Sequence, residues 1–373
     1  MDSPDSAITR QRNGFGLNLF KSLAKEQPTG NLAFSPLSVH AGLTMALAGA
    51  RAETARQIRE VLGIVNGEDA VAPDGVGALE QGAEMAMANR LWAHQGYGYL
   101  ETFLEALEKR HGASLGLVDV AGDGEGAARE VNEWISDQTY GKITEMQLGP
   151  GQDPQVLMLT NALHFHGEWL EPFDPAMTAE EPFFPDSGDP VPILMMWAKL
   201  DVAYGVVDEV ACVELPYHGR RYSMLVILPP QGELATWEQE LSVQGFDSII
   251  DSMAVTQVDL MLPKWRTESE AALAQILSAM GMDQAFSPLE ADFSGVLASG
   301  EKGPYLGQVA HKACISVDEY GTEAAAATLM GMLEEEAPET VLFRANHPFV
   351  YMIRDKRSGA IVFMGRMADP SLD

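Results

Sequence analysis

His164, His166 and Glu168 alternate along an apolar run, so on a β-strand two imidazoles and a carboxylate share one face, a donor set that suits a divalent metal. Such spacing is common by chance, and Trp169 and Pro172 end the strand close by, so no metal is expected. Gly122-Asp123-Gly124-Glu125-Gly126-Ala127 has the glycines of a dinucleotide-binding turn and follows the apolar residues 115–120. Asp123 and Glu125 would sit beside the pyrophosphate, and no β-α-β pattern precedes them. An acidic turn without a cofactor is the plainer reading.

The chain has no Gly-x-Ser-x-Gly elbow, no His-Glu-x-x-His and no phosphate-binding P-loop, which argues against an enzyme. Cys212 and Cys314 each alternate with apolar neighbours in strand-like runs, as two buried thiols do, and two cysteines make no disulfide framework. Within Val309-Ala310-His311-Lys312-Ala313-Cys314-Ile315-Ser316-Val317, alternation puts His311 on the face of Val309, Ala313, Ile315 and Val317. That is the core side, where an imidazole must find hydrogen-bond partners.

Between Asp318 and Pro348 the small-residue run Gly321-Thr322-Glu323-Ala324-Ala325-Ala326-Ala327-Thr328 precedes the acidic Glu334-Glu335-Glu336-Ala337-Pro338-Glu339. Such a segment can hang in solvent as bait or slot into a sheet; taken alone it also reads as an Ala-rich helix framed by Gly321 and Pro338.

Helical spacing of Phe15, Leu17, Leu19, Phe20, Leu23 and Ala24 opens the chain, and Ser35-Pro36-Leu37-Ser38 caps a buried helix over 38–48. A helix at 54–62, a strand at 87–93 and helices at 103–111 and 127–139 follow. From 156 β-type runs take over, at 156–165, 203–204, 211–215, 223–228 and 258–262, with one more helix at 268–280. Strands at 309–317 and 342–343 precede a hairpin of 349–353 and 360–364, apolar on both faces as in a buried sheet. No repeat, linker or composition break divides the chain, so one mixed unit over 1–373 is expected.

Lys and Arg number 24 against 54 Asp and Glu, a net charge of −30, which disfavours nucleic acid and anionic membrane surfaces as partners. Met1-Asp2-Ser3-Pro4-Asp5-Ser6 offers neither the basic nor the apolar region of a signal peptide, so a cytoplasmic chain is expected, although a form trimmed of its signal would look the same.

The residues read so far resemble the serpin family over nearly the whole chain. Similar to its motifs are Asn31-Leu32-Ala33-Phe34-Ser35-Pro36-Leu37-Ser38-Val39, Thr160-Asn161-Ala162-Leu163-His164-Phe165, Gly167-Glu168-Trp169 and Glu214-Leu215-Pro216-Tyr217. So are Leu262-Pro263-Lys264-Trp265, His311-Lys312-Ala313, the run from Gly321 to Thr328, Asn346-His347-Pro348-Phe349 and Phe363-Met364-Gly365-Arg366.

The resemblance implies an α+β fold of three β-sheets and about nine helices, with an exposed reactive loop at about 319–341 that inserts into the central sheet; serpins are a stock example of that move. It implies a hinge of Glu319, Gly321, Thr322, Glu323, Ala324, Ala325, Ala326, Ala327 and Thr328. It places Ser35, Ser38, Asn161, Trp169 and His311 in the shutter and breach regions where the sheet opens. The implied partner is a serine protease, trapped as a covalent acyl complex by a monomeric inhibitor that is consumed, not a catalyst.

Ala324 to Ala327 are small enough to enter a covered sheet, Gly321 supplies a pivot, and a charged residue at Thr322 would block the first step. The family's loop length puts the scissile bond at Glu335–Glu336, bait for a glutamate-selective protease; a shift of two or three residues offers Met332 or Leu333 instead. Tyr320 stands where the family mostly has an acid, which implies slower or altered opening. Residues 67–82 lack Lys and Arg, so heparin activation is not expected. The alternatives are a non-inhibitory serpin acting as a binding or chaperone-like module, and a small-molecule enzyme using the His164, His166 and Glu168 face. The alanine hinge argues against the first, and the missing catalytic motifs against the second.

Overall fold

The computed structural model describes residues 4–64, 83–149, 153–322 and 340–372. Helix α1 (Pro4–Glu26) buries Phe15, Leu19, Phe20 and Leu23, and β1 (Leu32–Phe34) leads into α2 (Pro36–Gly49). Ser35 Oγ accepts the Ser38 N–H at 3.0 Å and Pro36 opens the first turn, so α2 starts on the expected cap. α2 is buried along almost its whole length, as a helix with apolar residues on every side must be. Against it pack α3 (Ala52–Leu62), which ends on Gly63 at φ 72°, and α4 (Glu101–His111).

The smaller sheet runs in the order β10 (Trp265–Ala272), β11 (Tyr305–Val317), β4 (Val156–Glu168), β2 (Ala83–His94) and β3 (Gly116–Val118). The larger runs β1, β15 (Ile361–Met367), β14 (Phe349–Asp355), β8 (Tyr222–Leu228), β7 (Val210–Pro216), β6 (Val191–Val207), β9 (Ala254–Pro263) and β13 (Val341–Arg344). Strand β6 pairs with β9 along one edge, and its other edge takes β5 (Ala179–Phe183) at one end and β7 at the other. Two of the three expected sheets are therefore hydrogen-bonded into one continuous surface. Outside the sheets lie α5 (Gly124–Gln138), α6 (Leu234–Glu240), α7 (Val243–Ser252) and α8 (Ala274–Leu277), giving eight α-helices among the described residues.

Three apolar cores follow from this layering. One lies under α1 to α4 and the lower part of the smaller sheet, around Leu43, Ile58, Leu107 and Leu159. Another fills the space between the sheets, with Phe165, Met224, Leu260, Ile315 and Tyr351. The third joins Val131 and Ile135 of α5 to Trp92, Val118, Met158 and Ala162 on the outer face of the smaller sheet.

The helix expected over 268–280 is corrected. Up to Ala272 this stretch is strand β10, because Glu268 and Glu270 reach Lys312 across the ladder, at 2.7 and 3.6 Å, and Thr267 turns into the core. Helix begins only at Ala274. Strand β6 extends the 203–204 run back to Val191, and α6 and α7 occupy the stretch between β8 and β9, where the pattern predicts no element. The acidic turn at 122–126 caps α5: Asp123 Oδ1 accepts the Gly126 N–H and Asp119 Oδ1 the Gly122 N–H, each at 2.8 Å, filling the donors a phosphate would need. Among the described residues no helix is long and apolar enough to cross a membrane.

Candidate functional site

Strands β11 and β4 are neighbours and run parallel, from Tyr305 opposite Val156 to Cys314 opposite His164. Above that last pair the two strands no longer bond to each other. Into the opening comes β12 (Gly321–Thr322), antiparallel to β4, with Gly321 opposite Glu168 and Thr322 opposite Gly167. A parallel pair cannot be joined by a tight turn, whereas β12 returns from β11 within a few residues because it runs antiparallel to its neighbour.

The return is built by the side chain of Asp318, whose Oδ1 accepts the Tyr320 and Gly321 N–H groups at 2.9 and 3.2 Å. The Asp318 N–H closes the turn onto the Gly321 carbonyl at 2.9 Å. Gly321 has φ 150°, and a Cβ there would lie 2.0 Å from the Gly167 carbonyl oxygen, so only glycine fits.

Thr322 is fully buried, its hydroxyl 2.8 Å from that of Tyr217. Tyr217 stacks on Trp169 with ring centroids 4.6 Å apart, and Trp169 Nε1 donates to the Asp318 carbonyl at 3.0 Å. Burial pushes the Tyr217 phenol up, so its proton is available to Thr322. Burial alone would raise the Glu319 carboxyl, but Lys264 Nζ at 2.7 Å and the Thr178 hydroxyl at 2.8 Å hold it below the usual carboxylate range. Tyr320 fits this turn through its backbone alone, its carbonyl accepting the Trp169 N–H at 2.9 Å.

Halfway down the seam, His311 of β11 stands opposite Asn161 of β4, which stands opposite Asn89 of β2. Ser35 N–H donates to His311 Nε2 at 3.0 Å, Asn161 Nδ2 to Asn89 Oδ1 at 3.1 Å, and Ser38 Oγ to Asn89 Oδ1 at 2.6 Å. A polar row across three strands is thus tied to the N-terminus of α2. Ser35, Ser38, Asn161 and His311 come together as expected. Asn89 was overlooked, although an amide within the apolar strand 87–93 was its signal. Tyr217 and Lys264 lie within the family motifs, and nothing in their spacing points to Thr322 or Glu319.

On the outer face, Lys312 Nζ donates to the Glu145 carbonyl at 2.7 Å and Gln308 Nε2 to the Gly149 carbonyl at 3.2 Å, so the chain after α5 is fastened to β11. His164 is buried, whereas Glu168 is exposed, and among the described residues no three His, Cys, Asp or Glu side chains converge as metal ligands do. Cys212 and Cys314 are both buried, and neither forms a disulfide among the described residues. Glu323, Ala324, Ala325, Ala326, Ala327 and Thr328, with Met332, Leu333, Glu335 and Glu336, lie outside the described residues.

The His311 ring is neutral because burial lowers its pKa from 6.5 to about 3, against a smaller opposing pull from the Asn161 backbone. Protonated, Nε2 would present N–H to the Ser35 N–H. The unfolded chain binds this proton near pH 6.5 and the folded one does not, so the stabilisation is complete above about pH 6.5 and is lost as pH falls toward 3. Urea unfolding at pH 7, 6 and 5 should show stability declining with acid, and His311→Gln should flatten the decline by up to about 1.4 kcal/mol per pH unit. An identical slope in the variant would remove His311 from the account.

Comparison with protein families matches residues 10–370 to the one described as Serpin (serine protease inhibitor). The chain belongs to the serpin family. A leukocyte elastase inhibitor of Xenopus tropicalis is 34% identical over 99% of this chain and 100% of its own. A serpin-like protein of Thermococcus kodakarensis is 34% identical over 99% of this chain and 87% of its own length. Among solved structures, the thermophilic serpin tengpin in its native state matches with a TM-score of 0.87 at 25% identity, over 99% of this chain and 95% of tengpin. The serpin fold accounts for the sheet order seen here, with the parallel seam at the centre of the smaller sheet.

Proposed function

We propose that this serpin inhibits a serine endopeptidase by suicide substrate trapping, with its reactive loop entering the β4–β11 seam after acylation. The observation that carries this reading is β12, a two-residue antiparallel strand at the mouth of a parallel pair. Relatives named leukocyte elastase inhibitor support the inhibitor class. The protein acts as a consumed substrate, not an enzyme.

Continuing the register of β12 down β4 gives the insertion a definite length. From Thr322 opposite Gly167, eleven further residues bring Leu333 opposite Val156, the first residue of β4. Residues on the buried side of Thr322 are then Ala324, Ala326, Thr328, Met330 and Met332, opposite Phe165, Leu163, Asn161, Leu159 and Leu157. Small side chains meet the large Phe165 and Leu163, methionines meet the lower core, and Thr328 meets the polar row of Asn161 and His311. This pattern favours a scissile bond beyond Leu333, which agrees with Glu335–Glu336, the bond the family's loop length implies. Cleavage at Met332 or Leu333 would anchor the protease to residues needed to fill the foot of the seam.

Incubation with elastase-, chymotrypsin-, subtilisin- and glutamate-specific proteases should give, for at least one, a detergent-stable covalent complex at near one-to-one stoichiometry. Mass spectrometry of the released C-terminal peptide should begin it at Glu336; a start at Leu333 or Glu334 would move the bond to the alternatives. A cleaved loop with no complex for any protease would sink the inhibitory reading and leave the non-inhibitory binding module.

A further inference from the structure

In a chain of net charge −30, one cavity of about 270 Å³ is lined by Arg51, Arg59, Arg110 and His111 and, among the described residues, by no carboxylate. It lies between the C-terminal end of α2, the start of α3 and the C-terminal end of α4, away from the seam. Leu47, Ala48, Ala50 and Ala55 form its apolar part.

Several observations mark it as more than an accident of packing. Arg51 is held in place, its Nη1 donating to the Ala48 and Ala50 carbonyls at 3.1 and 2.7 Å, which leaves the rest of its planar fork for another acceptor. Among the described residues neither Arg51 nor Arg59 forms an ion pair, whereas Arg56, one turn away on α3, is bracketed by Glu53 and Glu60. His111 Nδ1 is buried with no hydrogen-bond partner among the described residues. Burial and then the nearby Arg110 charge hold that ring's pKa down at about 4. Ala52, also in the wall, sits at φ 46°, a conformation that costs an alanine energy and turns the chain sharply between α2 and α3.

We propose that this cavity binds a small organic anion with two or more negative oxygens, a phosphate ester or a polycarboxylate, held by guanidinium forks and His111 against the alanine-lined wall. Guanidinium groups match phosphate and carboxylate in a bidentate manner, and the volume suits a compact anion, not an extended sulfated chain. Its occupant would bridge α2, α3 and α4, so binding stabilises the uncleaved protein whether or not a protease is ever trapped.

The test uses the intact full chain at low ionic strength, titrated with pyrophosphate and with citrate by calorimetry and thermal melting. At a hundredfold excess over Kd, one or both should raise Tm by about 3 °C. A larger response to pyrophosphate assigns the phosphate class, and a larger one to citrate the carboxylate class. Arg59→Glu, a change at an exposed position, should weaken binding at least tenfold without lowering the melting temperature of the ligand-free protein. Absence of binding by both anions at 10 mM (about the top of a useful range), or equal binding by Arg59→Glu, would overturn the proposal.

Discussion

Cutting the loop between Thr322 and Val341 is expected to raise the melting temperature by about 15 °C. Insertion would break the one parallel ladder between β11 and β4 and make two antiparallel ones, a net gain of about one ladder over residues 322–333. At about 0.5–1.5 kcal/mol per bond this is on the order of ten kcal/mol, comparable to the whole stability of an ordinary domain. Burying Met330 and Met332 against Leu159 and Leu157 adds about 1.5–3 kcal/mol each. If the loop inserts as proposed, the uncut form is held by a barrier, not by its depth. Calorimetry of intact and cut protein gives the shift directly; equal melting before and after cleavage would mean that the loop stays out.

Thr322→Arg is expected to turn the inhibitor into a substrate. The wild-type side chain is fully buried beneath the Trp169–Tyr217 stack and shares a hydrogen bond with Tyr217. A guanidinium there would be an unpaired buried charge, at a cost of several kcal/mol, so β12 leaves the seam instead and only two residues lose their pairing. The variant should fold, be cleaved at the normal rate and consume at least about ten molecules per protease trapped, an effect of about 1.4 kcal/mol on the partition between trapping and release. Unchanged stoichiometry would contradict entry through Thr322.

The elements most legible in the sequence were those whose pattern and burial coincide. The cap at Ser35 and the doubly apolar hairpin of β14 and β15 needed nothing from distant parts of the chain. Strand β10 was misread because Glu268, Glu270 and Ala271 suit a helix locally, and only Lys312 and the β11 ladder decide otherwise. β6 was underread because its first half alternates exposed and buried residues around Pro192, a weak signal before β9 is known to lie beside it.

At the site, family motifs brought His311, Asn161, Ser35 and Ser38 together, and the structure adds why: one polar row crosses three strands and ends on a helix cap. Asn89 completes that row, but a lone amide in a strand does not reveal which strand it faces. The role of Tyr217 is hidden for the same reason, since its partner Thr322 is more than a hundred residues away. The parallel relation of β4 and β11 is a matter of topology, which no local spacing records.

The crystal structure of the loop-cleaved protein tests the central claim most directly. The account predicts a new strand between β4 and β11, antiparallel to both, with Thr328 level with Asn161 and His311 and Leu333 level with Val156. A cleaved protein in which Tyr305 still pairs with Val156 and Cys314 with His164 would contradict it.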